Sequence, residues 1–156
     1  MTTKVHQLVD GRGLPLVTAV TAGQAGDSPM MLTLLADLRV ARVSGRPRTR
    51  PDTVRGDKAY PSRAIRAHPR DRGITAVIPE PADQRGHRRR RGTRGGRPVS
   101  YDPEDYRNRN VIERGFCRLK QWRGLATRYD KHATNYRAAV VLNAVIAWTQ
   151  ALSDTP

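Results

Sequence analysis

The chain opens with two short runs rich in β-branched residues, Lys4-Val-His-Gln-Leu-Val9 and Leu14-Pro-Leu-Val-Thr-Ala-Val-Thr21, divided by Asp10-Gly11-Arg12-Gly13. That pattern predicts an antiparallel hairpin whose first strand is a sheet edge needing a neighbour. The period then changes. Asp27-Ser28-Pro29 offers a cap residue and a proline for the first helical position, and Met31, Leu34, Leu35 and Leu38 recur at helical spacing up to about Val40. Residues 41–52, with four Arg, two Pro and a Gly, read as a loop. Thr53 to Tyr60 reads as a short strand ending at the acid Asp57, followed by a helix from Pro61 or Ser62. Pro69 cannot donate to the carbonyl of Ile65, so this helix should kink or stop near His68. Ile74 to Ile78 is a second strand closed by Pro79.

Residues 78–103 are poor in hydrophobes and carry Arg85, Arg88 to Arg91, Arg94 and Arg97. They predict a basic mobile loop. Asp102-Pro103-Glu104 can start a helix over 104–123, and a last helix over 134–152, apolar on most sides in its middle, should be largely buried. The order β-β-α-β-α-β-loop-α-α over one domain, 1–156, is an α/β class with mixed strand directions.

Within the expected helix 104–123, Tyr106, Arg109, Glu113 and Lys120 are separated by three, four and seven residues. On an uninterrupted helix they share a stripe roughly 60° wide. Ile112, Phe116 and Leu119 form an apolar stripe beside it that can face a core. An acid between two bases and a phenol, beside a buried face, suggests a carboxylate that holds a metal ion close to phosphate.

Charge strengthens that reading. The net charge is +15 in 156 residues, which favours a polyanionic partner through counterion release, nucleic acid first. Arg outnumbers Lys 25 to 4. A GC-rich coding bias accounts for much of this, and guanidinium suits bidentate phosphate contact. One cysteine, Cys117, excludes an internal disulfide and a multi-cysteine zinc site. With no signal peptide and no apolar run long enough to span a bilayer, the expected location is the cytoplasm, with no membrane partner. The four histidines are scattered without metal-ligand spacing. Trp122 and Trp148 read as core residues rather than base-stacking platforms.

Asp57 closes a strand, where open α/β sheets place their sites, although a turn or cap role is the commoner use of such an Asp. Together with Glu113 it could bind Mg²⁺, a hard cation that accepts oxygen ligands and incomplete protein cages.

The string Tyr106-x2-Arg109-x3-Glu113-x6-Lys120 resembles the YREK signature of bacterial insertion-sequence transposases of the DDE type, particularly the insertion-sequence families numbered four and five. Further stretches resemble the same family in the same order: Thr2-Thr-Lys-Val-His6, Asp10-Gly-Arg-Gly-Leu-Pro15, Gly56-Asp57-Lys-Ala-Tyr60 and Arg123-Gly-Leu-Ala-Thr-Arg-Tyr-Asp-Lys131. The resemblance implies a ribonuclease-H-like mixed sheet flanked by helices. It makes Asp57 and Glu113 the second and third acids of a triad that binds Mg²⁺ or Mn²⁺. It makes Tyr106, Arg109 and Lys120 contacts to DNA, with Arg123, Arg128 and Lys131 as further candidates. Arg88, Arg89, Arg90 and Arg91 are candidates for non-specific phosphate contact on charge alone.

The family pattern places its first catalytic Asp on a strand ahead of Thr-Thr-Lys-Val-His, where this chain begins. The expectation is a sheet missing its first strand, a weakly held metal, and an isolated chain that is inactive or nearly so. Asp10, in a hairpin turn, is no substitute. The partners expected are transposon-end and target DNA, with a second copy or an upstream N-terminal half to complete the site. A remnant gene, a start lying upstream, or a frameshifted pair would each produce this beginning. Two other functions stand beside it: a non-catalytic basic protein that coats nucleic acid, and a partner or inhibitor of a full-length transposase.

Overall fold

The computed structural model describes residues 2–127, 130 and 132–154. These form two compact units. The first comprises residues 1–26, 33–49 and 110–156, and the second residues 27–32 and 50–109.

In the first unit, β1 (Thr3–Val9) pairs antiparallel with β2 (Pro15–Ala22), from Thr3 opposite Ala22 to Val9 opposite Pro15. The turn is built by Asp10. Its Oδ1 accepts from the amides of Arg12 at 2.9 Å and Leu14 at 2.8 Å, and Gly13 takes φ 84°, a conformation that suits a residue without Cβ. The expected hairpin is present, and Asp10 is spent on its turn. His6 is buried and shares a 2.7 Å hydrogen bond with the Thr21 hydroxyl. Helix α1 (Met30–Asp37) ends before the expected Val40 and is divided between the two units after Leu32; it buries Met31, Leu34 and Leu35, with Leu38 buried just beyond it.

The core of this unit is Leu119, Leu125, Tyr136 and Val140, with Val5, Val20, Phe116 and Trp122 packed against it. The unit's remaining helices are α5 (Asn110–Gln121), α6 (Arg123–Thr127) and α7 (Ala133–Ser153), numbered in chain order. α7 packs on β2 and α6. Tyr136 Oη donates to the Leu125 carbonyl at 3.2 Å, and Trp148 Nε1 to the Pro15 carbonyl at 2.7 Å. Both tryptophans therefore serve packing.

The expectation of a buried last helix is corrected. Val141, Leu142, Val145 and Leu152 remain 41%, 54%, 51% and 66% exposed. The hairpin, α6 and the Leu119 side of α5 cover only part of the circumference of α7, however apolar the rest of it is.

In the second unit, β3 (Thr53–Arg55) pairs parallel with β4 (Thr75–Val77). Between them runs α2 (Arg63–Asp71), which packs on β4 and buries Ile65 and Pro69. Ser62 caps α2 by accepting from the Ile65 amide at 3.2 Å, as Ser does at such a position. Pro69 does not stop the helix at His68. The chain continues to Asp71 and closes when Gly73 enters the left-handed region at φ 64°. There the Gly73 amide donates to Arg70 at 3.0 Å and the Ile74 amide to Pro69 at 2.8 Å, the paired bonds of a Schellman end.

Two further expectations are corrected here. The supposed loop 78–103 contains a helix, α3 (Ala82–Arg90), and a single 3₁₀ turn at Gly92–Gly95. Ala, Gln and Arg are good helix formers. Asp83 lies in the first turn and four basic residues in the last, the charge order a helix dipole favours. The single helix expected over 104–123 is α4 (Pro103–Arg107) followed, after Asn108 and Arg109, by α5. At this break the amides of Asn108 and Arg109 donate to carbonyls only three residues back, at 3.2 and 3.0 Å, and Asn108 Nδ2 donates to Asp105 Oδ1 at 3.3 Å.

Candidate functional site

Asp57 follows Gly56 at the carboxyl end of β3 and is half-buried. The Gly56 amide continues the ladder by donating to Val77 at 3.2 Å. The chain then turns. Asp57 Oδ1 accepts from the Ala59 amide at 2.9 Å, and its carbonyl accepts from the Tyr60 amide at 3.2 Å. The turn role is therefore real, and it occupies one carboxylate oxygen. Burial, followed by the charges of Asp57 and Asp27, pushes the Tyr60 phenol above its ordinary value. Tyr60 thus stays protonated in an acidic neighbourhood.

In the same unit, Asp102 caps α4 by accepting from the amides of Glu104 and Asp105. Tyr106 is half-buried on α4, with its ring edge-on to Tyr101 at 5.5 Å. The Arg109 guanidinium lies over the Tyr106 ring at 5.4 Å, within the range of a cation–π contact. The structure therefore brings these two signature residues together. A third group supports them: Arg55, on β3, forks onto Asp105. Its Nε donates to Asp105 Oδ1 at 3.1 Å and to the Asp105 carbonyl at 3.2 Å, and its Nη2 also reaches Oδ1. The Arg55 hydrogen bond holds the Asp105 carboxyl below its usual range.

In the first unit, Glu113 and Lys120 are both exposed on α5, while Leu119 is buried and Ile112 and Phe116 are half-buried. The apolar stripe meets the core as its spacing predicts. The four-residue polar stripe does not run along one helix, because the chain breaks at Asn108–Arg109 and leaves Tyr106 on α4. Glu113 and Lys120 remain seven residues apart, about two turns on one face. Arg123 is exposed at the start of α6. Arg128 and Lys131 lie outside the described residues.

The arginines of α3 divide into two kinds. Arg88 is drawn inward: Nε and Nη2 donate to the two Glu80 oxygens at 3.2 and 2.8 Å, with the side chains 21% and 12% exposed. That hydrogen bond lowers the Glu80 carboxyl and raises the Arg88 guanidinium. Arg66 adds to the cluster by donating to the carbonyls of Ile78 and Pro79 at 3.0 and 3.1 Å, and burial lowers its pKa. Arg89, Arg90 and Arg91 are exposed, with Arg90 bonded to His87 at 2.9 Å. Three of the four arginines named from charge alone are thus available to a phosphate, and Arg88 serves as a clamp.

The clamps Arg55–Asp105 and Glu80–Arg88 were not read from the sequence. Their partners stand fifty and eight residues apart with no periodic relation, so no spacing rule announces them.

Among the described residues, no three of His, Cys, Asp and Glu lie together as a metal-binding group. Asp57 and Glu113 fall in different units, each contributing a single carboxylate. Among the described residues no helix is long and apolar enough to cross a membrane.

The chain matches the family described as the transposase DDE domain over residues 1–148. It is 31% identical over 148 residues to a candidate transposase of insertion sequence element IS6501 from Brucella ovis, covering 95% of this chain and 98% of that protein. It is 30% identical over 148 residues to a candidate transposase of insertion sequence element IS402 from Burkholderia cepacia, covering 94% of this chain and 63% of that protein. No solved structure matches it significantly.

Proposed function

This chain belongs to the transposase DDE domain family, a family of DNA transposition, and we propose that its part in that reaction is to grip DNA while presenting two acids of a strand-transfer site. Asp57 and Glu113 are those acids. Tyr106, Arg109 and Lys120 contact DNA near the reacting phosphate, with Arg123, Arg128 and Lys131 beyond them and Arg89 to Arg91 on the flanking backbone. The fold in this reading is ribonuclease-H-like, supported by the presence of both an antiparallel and a parallel strand pair; among the described residues these form two two-stranded sheets, not the one mixed sheet expected.

The observation that carries the reading is α5, which buries Leu119 and holds Glu113 and Lys120 exposed on its polar side. A carboxylate and a cation two turns apart on a rigid helix can address a metal and a phosphate together. Asp57 and Glu113 would hold a divalent cation, which would supply activation of water or a 3′-hydroxyl for in-line attack. The protein's own share is to orient the phosphodiester and neutralise its charge through Lys120 and Arg109.

Mn²⁺ binding followed by electron paramagnetic resonance tests the acids without relying on turnover. Weak binding that falls in both Asp57→Asn and Glu113→Gln is expected, and binding unchanged in both variants would refute the assignment. The net charge of +15 and the exposed arginines favour a second reading, a non-catalytic nucleic-acid coat. DNA binding indifferent to metal and to Glu113→Ala would select it.

A further inference from the structure

Tyr106 and Arg109 sit on a five-residue helix and the turn after it, α4 and Asn108–Arg109. A single helical turn has no stability of its own in water, so something else must fix where these side chains point. The structure supplies one device inside the same unit. Arg55 reaches from the last residue of β3 to the carboxylate and the carbonyl of Asp105. Asp105 also accepts from Asn108 Nδ2 at 3.3 Å, and Asn108 precedes Arg109. One carboxylate therefore ties the strand that leads into Gly56-Asp57 to the helix carrying Tyr106 and to the turn carrying Arg109. The pair is half-buried, with side chains 30% and 26% exposed. Nε and Nη2 of the planar guanidinium converge on Oδ1 while Nε also reaches the carbonyl, which fixes orientation as well as distance.

We propose that Asp105 is a positioning residue, which with Arg55 holds the Tyr106–Arg109 stack in the orientation that meets DNA. The proposal rests on the reading that Tyr106 and Arg109 contact DNA, and it adds two residues that neither the signature nor the charge pattern identifies. It has a consequence opposite in sign to simple electrostatics. Removing an acid from a chain of net charge +15 strengthens attraction to a polyanion when that acid is only a surface charge. Removing a positioning acid weakens binding.

The test measures binding of the full chain to a fluorescein-labelled duplex by anisotropy, for wild type, Asp105→Asn, Arg55→Lys, Arg109→Ala and the Asp105→Asn/Arg109→Ala double variant. Asp105→Asn is expected to weaken binding about five- to tenfold, the scale of one ordinary hydrogen bond. In the Arg109→Ala background the same change should cost nothing further. Arg55→Lys keeps the charge, loses the fork and should weaken binding less. It also stands in for Asp105→Asn should that variant unfold. A DNA-independent measurement accompanies these: the proton NMR cross-peaks between the Tyr106 ring and the Arg109 side chain, present in wild type, should vanish in Asp105→Asn. Unchanged or tighter binding in Asp105→Asn, equal losses in both backgrounds, or persistence of the cross-peaks each overturns the proposal. Wild-type binding by Arg109→Ala overturns the DNA-contact reading itself, a distinct result.

Discussion

The division of labour among the α3 arginines can be tested through salt dependence. The perturbation is a triple replacement, Arg89→Ala, Arg90→Ala and Arg91→Ala, compared with Arg88→Ala alone. Arg89, Arg90 and Arg91 are exposed at the carboxyl end of α3, whereas both donor arms of Arg88 are committed to Glu80. Each phosphate contact contributes about 0.9 to the slope of log affinity against log salt on B-form DNA, so three lost contacts lower it by about 2.7. Over a change from 50 to 200 mM salt, a slope difference of that size changes the wild-type-to-variant affinity ratio about fortyfold. Arg88→Ala should leave the slope within about 0.3 of wild type and loosen α3, read as lost far-ultraviolet ellipticity. The assay is anisotropy with a non-specific 30-base-pair duplex titrated at five salt concentrations. An unchanged slope in the triple variant would remove α3 from the DNA interface. A drop of about 0.9 in Arg88→Ala would show that the Glu80 clamp opens to DNA and that the static division is wrong.

Two further outcomes are expected. Ile65, 2% exposed where α2 packs on β4, should cost about 2–5 kcal/mol on replacement by alanine. Urea unfolding measures this, and a loss under about 1 kcal/mol would place the packing of this unit elsewhere. For pH, Glu80 and Asp105 are held below their ordinary values by Arg88 and Arg55. Carboxyls depressed by folding stabilise the protein above their unfolded values, near 4, and lose that contribution as pH falls through the lower folded values. Melting temperature should therefore be flat from about pH 7 to 5 and decline below about pH 4, less steeply in Glu80→Gln. A decline that begins near pH 6 would point to histidine instead.

Local patterns carried most of the architecture. The hairpin was legible because alternation and Asp-Gly chemistry act over neighbouring residues: runs at 4–9 and 14–21 became Thr3–Val9 and Pro15–Ala22. Ser62 and Gly73 punctuate α2 by equally local rules, although Pro69 overstated where it ends. The Ile112, Phe116 and Leu119 stripe declared the buried side of α5. α3 was not legible, because an arginine-rich segment without an apolar face resembles a solvated loop until Glu80 ties it down. The break at Asn108 was missed for a related reason: helical spacing assumes a continuous helix, and here the amides of Asn108 and Arg109 bond only three residues back.

Chemistry written in residue identity and short spacing belongs to the sequence alone: the family signature, the basic character, the two acids and the strands and helices that carry them. The tertiary structure decided which of those groups are committed. Arg88 is taken by Glu80, Asp57 lends an oxygen to its own turn, and Arg55 takes Asp105 from fifty residues away. Contacts between distant parts of the chain depend on how the elements pack, and no periodicity records that. The sequence therefore names the candidates, and packing selects which of them can meet a phosphate.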